Sequence, residues 1–164
     1  MIIRRESMQA ALAATTDEDT RYHLNGIQAE PADHRVVGTN GHVLLIATDT
    51  RPFPDADFPG VQGAEFHGDP SAPVLIPSDV CKAMIGTMPK RSTLPILGCA
   101  QLGRNGSDTS STLVATDLQA PRIATLNNPE SRFPAYQRIL DGHKDRVSVE
   151  LCLGVEVLET LIKA

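Results

Sequence analysis

The chain has 164 residues, room for one domain or two small ones, and a chain of this size buries roughly 68–70% of its extended surface on folding. Its 15 Lys and Arg against 20 Asp and Glu give a net charge of −5, and 41% of its residues are hydrophobic. That is an ordinary globular balance, and it argues against strong unaided binding to a polyanion. No apolar run nears the roughly 18 residues of a membrane span, which argues against a membrane protein. Met1-Ile2-Ile3-Arg4-Arg5-Glu6 is too polar to open a signal peptide, so the expected compartment is the cytoplasm.

In chain order, Ser7 to Ala14 is rich in strong helix formers, with Met8, Ala11 and Leu12 at helical spacing, and predicts a first helix over residues 6–16. After the acidic Asp17-Glu18-Asp19, an alternating strand-like segment begins at Tyr22-His23-Leu24-Asn25-Gly26-Ile27. Val36-Val37 and Leu44-Leu45-Ile46-Ala47 follow, with Asn40-Gly41 between them as a hairpin centre, so three antiparallel strands are expected here. Residues 49–73 carry Pro52, Pro54, Pro59, Gly60, Gly63, Gly68, Pro70 and Pro73, a density that neither a helix nor a central strand tolerates. They read as a long surface excursion. Val74-Leu75-Ile76 is a short strand, and Pro77 and Ser78 open a second helix with an apolar stripe of Val80, Met84, Ile85 and Met88, stopped by Pro89. Three more strands are expected over residues 99–103, 111–116 and 122–126, the first two joined through Asn105-Gly106. Beyond Tyr136, residues 147–151 read as a strand and 155–162 as a third helix.

The order strand, helix, three strands thus appears twice, and the letters repeat with it. Val37, Thr39, Ile46, Ala47 and Thr48 recur as Val114, Thr116, Ile123, Ala124 and Thr125 at one constant offset, and Phe53-Pro54 is echoed by Phe133-Pro134. The expected architecture is α+β: a pseudo-twofold domain over residues 1–142, with halves of about 1–73 and 74–142, mostly antiparallel sheet, and two helices on one face. Residues 143–164 are expected to open a further, incomplete unit.

Three segments carry a resemblance to a known family. Thr20-Arg21-Tyr22-His23-Leu24-Asn25-Gly26-Ile27, Val37-Gly38-Thr39-Asn40-Gly41-His42-Val43-Leu44 and Arg132-Phe133-Pro134-Ala135-Tyr136-Gln137-Arg138-Ile139 resemble, in order and spacing, the middle domain of the bacterial sliding clamp, the beta subunit of DNA polymerase III. Residues 147–163 resemble the first strand and helix of the clamp's next domain. The resemblance implies the DNA-clamp fold and a processivity factor: domains that close into a ring of six around duplex DNA and recruit DNA polymerase III subunits and other clamp-binding proteins. It also implies homo-oligomer formation through pairing of sheet edges. In this family a shallow pocket takes partly apolar peptides, and Leu24, Thr39, Gly41, His42, Leu44, Pro134 and Ile139 fall where that pocket is lined. Their chemistry is compatible, since the apolar side chains form a floor and Gly41 lets a backbone come close. Asn40 and Val43 stand where the family usually has an aspartate and an arginine, which removes a charge pair from the rim. The rest of that pocket belongs, in the family, to the following domain.

DNA contact in such a ring is non-specific phosphate electrostatics, for which Arg4, Arg5, Lys82, Lys90 and Arg91 are the candidates. Lys90 and Arg91 also suit a helix C-terminus on their own account. A second reading is a clamp-derived adaptor without a ring, a protein-interaction module that modulates replication, and the long excursion at 49–73 favours such divergence. Catalysis finds little support, because no nucleophile elbow and no phosphate-cradling glycine loop occurs. No cofactor motif is present. Cys81, Cys99 and Cys152 have neither disulfide nor zinc spacing, His42 has no evident partner for catalysis, His23 reads as an ordinary sheet residue, His34, His67 and His143 lie in polar loops, and Asp55, Asp57 and Glu65 lack the spacing of a calcium loop.

Overall fold

A computed structural model of the chain describes residues 1–16, 24–106, 110–127 and 133–142. Thr20, Arg21, Tyr22, His23 and Arg132 of the motifs, His143, Cys152, and the strand and helix expected beyond residue 146 lie outside the described residues.

The first half builds β1 (Ile2–Arg4), α1 (Arg5–Ala13), β2 (Gly26–Glu30), β3 (Arg35–Thr39) and β4 (Leu44–Thr48). The second builds β5 (Val74–Pro77), α2 (Ser78–Thr87), β6 (Cys99–Arg104), β7 (Ser110–Ala115) and β8 (Arg122–Asn127), and a short α3 (Tyr136–Asp141) follows. The class is α+β, with two four-stranded antiparallel sheets. Helix α1 is shorter than its composition suggests. The Ala14 N–H already bonds Ala11 O, and the Thr15 hydroxyl turns back onto Leu12 O, so the last turn closes on itself. Strand β2 starts at Gly26, later than the alternating pattern begins, and β1 is a strand that the pattern of residues does not announce.

The two halves exchange their first strands. Sheet 1 has the order β1-β6-β7-β8 and sheet 2 the order β4-β3-β2-β5, so β1 lies in the sheet of the second half and β5 in that of the first. The registers coincide residue for residue. Ile3 pairs Ala100 as Ile76 pairs Ile27, Gln28 pairs Val37 as Gln101 pairs Val114, and Val37 pairs Ile46 as Val114 pairs Ile123. The turns repeat as well. Asn40 Oδ1 accepts the N–H groups of His42 and Val43 at 2.9 Å, and Asp117 Oδ1 accepts those of Gln119 and Ala120 at 2.9 and 2.7 Å. Gly41 takes φ +90° there, and Leu118 stands at the equivalent place with φ +74°, which costs an L-residue about 1–2 kcal/mol.

Inward residues of both sheets and the two helices make one continuous core, in which Met8, Ala11, Ile27, Ile76, Met84, Leu102 and Leu113 are fully buried. Burying one such large side chain is worth about 1.5–3 kcal/mol. Helix α1 packs on β3 and β4, α2 on β7 and β8, and the two helices touch. The outward faces are covered too. The 49–73 segment holds no regular element beyond the single turn Asp55–Asp57, yet it is no free loop. It lays Phe53, Phe58, Val61, Ala64 and Phe66 across sheet 1, against Ile2, Cys99 and Val114. Its far end pairs with β6 where β1 runs out, through His67 N–H to Arg104 O and Arg104 N–H to Gly68 O. The α-ammonium of Met1 is buried against Leu102 O and is paired with Asp55 and Asp69 of that segment. On sheet 2 the cover is Phe133 and Tyr136, packed on Val37 with Leu44, Ile46 and Leu75 beside them.

Candidate functional site

The outward face of sheet 2 carries the residues singled out for peptide binding. Leu44 packs against the cluster of Val37, Phe133 and Tyr136, and Pro134 follows Phe133 in the covering segment. The β3–β4 turn brings Thr39, Gly41 and His42 together. The Thr39 hydroxyl donates to Val43 O at 2.6 Å and accepts the Gly41 N–H at 3.1 Å, so its role in this turn is to shape it. Leu24 and Thr39 are buried, at 5% and 6% exposure, whereas Gly41 and His42 are exposed. Ile139 on α3 is 64% exposed. Asn40 caps the turn with its side-chain oxygen as Asp117 does in the second half, so the missing aspartate leaves the turn unchanged. The Asp117 carboxyl, holding the Ala120 and Gln119 N–H groups, lies below the usual carboxylate range.

At the other end of β3 lies a polar cluster that the sequence did not announce. Glu30 is 7% exposed, and its carboxylate accepts from Gln28 Nε2 and Arg35 Nε, both at 2.6 Å, and from the Tyr136 hydroxyl at 2.9 and 3.0 Å. Arg35 Nη2 is 3.0 Å from Asp33 Oδ2, and the guanidinium lies 5.8 Å from the Tyr136 ring centroid. Burial pushes the Tyr136 phenol pKa up, and the adjacent Glu30 carboxylate pushes it further. For Arg35 burial acts to lower the pKa, but Glu30, Tyr136 and Asp33 outweigh it and the net shift is upward. Glu30 is thus a buried charge with its partners in place, and these bonds tie the segment at 133–136 to the sheet. Beside it opens a cavity of about 650 Å³, between the Pro31–Asp33 turn, Ser71, Ala72 and Pro73 on one side and residues 133–138 on the other. Of the seven residues expected in the peptide pocket, Pro134 lines this cavity. Glu30 and Tyr136 are 106 residues apart, so no local pattern could have joined them. Gln28 and Glu30 sit at the outward positions of an alternating strand, where polar residues read as solvated.

The candidate cations are divided. Arg4 Nε donates to Asp49 Oδ2 and its Nη2 to Arg51 O, both at 2.8 Å, with the guanidinium 4.5 Å from the Phe53 ring centroid. Arg5 Nη1 donates to Met88 O at 2.6 Å. Lys90 lines the same shallow groove as Arg4 and Arg5, and Lys82, Lys90 and Arg91 are exposed. The exposed positions of the two helices also include Glu6 and Asp79. Among the described residues no helix is long and apolar enough to cross a membrane.

No protein-family model and no curated protein matches the chain. Solved structures do. The chain is similar to bacterial sliding clamps. It matches the beta sliding clamp of C. crescentus at 20% identity and TM-score 0.46, over 85% of this chain and 33% of that one. It matches the DNA polymerase III beta subunit of Thermotoga maritima at 15% identity and TM-score 0.48, over 93% of this chain and 32% of that one. The chain therefore spans about a third of the length of each.

Proposed function

We propose that the chain is a sliding-clamp domain: a non-catalytic module that joins a ring around duplex DNA, holds a polymerase to it, and receives replication proteins as peptides at the outward face of sheet 2. The observation that supports this best is the duplication itself, two helix-plus-strands units in matching register that carry the three family motifs in order. Two further features agree with it. The edge strands β4 and β8, at equivalent places in the two sheets, have no described strand beside them and suit edge-to-edge pairing with further domains. Gly41, His42, Leu44, Pro134 and Ile139 remain at least partly open to solvent for a peptide.

A second reading, an adaptor that keeps the peptide face without the ring, draws on a specific observation. Arg4 is paired with Asp49, and Arg4 and Arg5 are tied to Arg51 O and Met88 O within the chain, which leaves three of the five candidate cations, Lys82, Lys90 and Arg91, exposed for phosphates. Light scattering during gel filtration at several concentrations separates the two. A six-chain assembly that stays on closed circular DNA and slides off once that DNA is linearised is the result expected of the ring. A concentration-independent monomer overturns the ring and leaves the adaptor.

A further inference from the structure

The chain has three Asn-Gly pairs, Asn25-Gly26, Asn40-Gly41 and Asn105-Gly106. In such a pair the main-chain nitrogen of the glycine can attack the carboxamide carbon of the asparagine, because no Cβ on the glycine bars the approach. The attack needs the two atoms brought together by rotation about the asparagine's own main chain, so it is fast only where both groups are free to turn. The fold treats the three pairs differently.

Gly26 opens β2 and is buried opposite Pro77, and Asn25 O accepts the Ser78 N–H at 3.3 Å, so the peptide between Asn25 and Gly26 is fixed in the sheet. In the β3–β4 turn both reacting groups are tied. Asn40 Oδ1 holds the His42 and Val43 N–H groups at 2.9 Å, and the Gly41 N–H donates to Thr39 Oγ1 at 3.1 Å, so attack there has to break all three bonds. The third pair stands just past β6, in the β6–β7 hairpin. Asn105 is anchored through its own N–H, to Ser110 O at 3.0 Å, but among the described residues neither its carboxamide nor the Gly106 N–H has a hydrogen-bond partner. Gly106 is exposed at φ +67°, and a Cβ there would meet nothing within 4 Å.

We propose that Asn105 is a spontaneous modification site, the one of the three pairs at which the folded chain deamidates. The Gly106 nitrogen bonds to Asn105 Cγ as the Cγ–Nδ2 bond breaks, the nitrogen's proton leaves with the side-chain amide as ammonia, and a succinimide ring closes. Water then adds at either ring carbonyl and leaves aspartate or isoaspartate at position 105. Either product adds one negative charge to a chain already at −5, at the residue next to Arg104, whose Nη2 holds His67 O of the 49–73 segment at 2.8 Å. The isoaspartyl form also routes the main chain through one extra carbon at the residue that bonds Ser110 O. None of this depends on the clamp reading.

The full chain is kept in mildly alkaline buffer at body temperature, folded in one series and unfolded in urea in another, and each pair is followed over weeks by peptide mass spectrometry. In the folded chain Asn105 is expected to deamidate at least tenfold faster than Asn25 or Asn40, and in urea the three rates should converge. Both aspartate and isoaspartate should be found at position 105, as opening of a succinimide requires. Loss at Asn25 or Asn40 as fast as at Asn105 in the folded chain overturns the proposal. So does a lead for Asn105 that persists undiminished in urea, which would place the selection in the local sequence rather than the fold, and aspartate without isoaspartate overturns the ring-closing step.

Discussion

At Gly38 the backbone of β3 meets the backbone of α1. A Cβ there would overlap the carbonyl oxygen of Ala11 and stand 2.6 Å from its carbonyl carbon and 3.1 Å from its Cα, whereas ordinary contact begins at 3.4 Å. These are main-chain atoms of the last turn of α1, so no side chain can rotate away. In Gly38→Ala the helix must retreat by about an ångström, and overpacking of this kind costs about 1–3 kcal/mol. The retreat also loosens Met8 and Ala11, both fully buried, and a gap of that size forfeits up to about half of their dispersion contacts, roughly 1 kcal/mol more. The expected loss is about 2–4 kcal/mol out of a total of about 5–15, or a fall in Tm of about 10 °C. The second half supplies the control, because Ala115 holds the equivalent position on β7 with its Cβ already accommodated. Ala115→Gly should cost only about 1 kcal/mol. The chain has no Trp, so urea unfolding is followed by far-UV circular dichroism. A Gly38→Ala protein within 1 kcal/mol of the parent, or an Ala115→Gly protein that suffers more, would refute the close approach of α1 to β3.

Removing Arg35 should cost more than removing its neighbour's hydroxyl. Arg35→Met leaves Glu30 buried without its counter-ion, at about 3–5 kcal/mol, whereas Tyr136→Phe removes one of several donors, at about 1–2 kcal/mol. The double-mutant cycle should show coupling of at least about 0.5 kcal/mol, and additive losses would mean that the cluster does not act as a unit. Burial pushes the Cys81 thiol up to about 12, while an unfolded thiol ionises near 8.5–9. Between those values the unfolded state holds fewer protons, so stability is intact below pH 8.5 and falls as pH rises, by up to about 1.4 kcal/mol per pH unit. Cys99, pushed up to about 11 by burial, adds to the slope. Cys81→Ala should therefore lose urea resistance less steeply from pH 9 to 10.5, and equal slopes in variant and parent would contradict the burial of this thiol.

Wherever a local rule decides, the fold was legible. Pro77 with Ser78 marks the start of α2, Pro89 its end, Asn40-Gly41 the hairpin, and the constant offset between Val37 and Val114 the duplication. What was not legible depends on the chain returning from far away. Three apolar-looking residues at the N-terminus do not announce β1, because its partner β6 lies about a hundred residues on. The proline-rich excursion is loop by every local rule, and only the bare backbone of Gly103 beneath Phe66 reveals it as a cover for sheet 1. The Glu30 cluster was missed for the same reason. Its strand alternates as if one face were wet, and Tyr136 closes that face from 106 residues away.

The strand exchange explains why the repeat is so regular in register and so loose in letters. Since β1 sits beside β6 and β5 beside β2, neither half owns a complete sheet, and a register slip in one half would turn the other half's apolar residues outward. Register is therefore held at every pair, while individual side chains are free to differ wherever the two halves meet different covers. The differences do fall there. Gly38 admits α1 where β7 has Ala115, Gly103 admits Phe66 where Glu30 holds Tyr136, and Gly41 turns freely where Leu118 is forced into the left-handed region and stands 58% exposed. The duplicated frame thus keeps its registers while the side chains depart where a helix, a covering segment or a turn meets each half differently. Residues 49–73 cover the outward face of sheet 1, and Phe133 and Tyr136 lie on that of sheet 2.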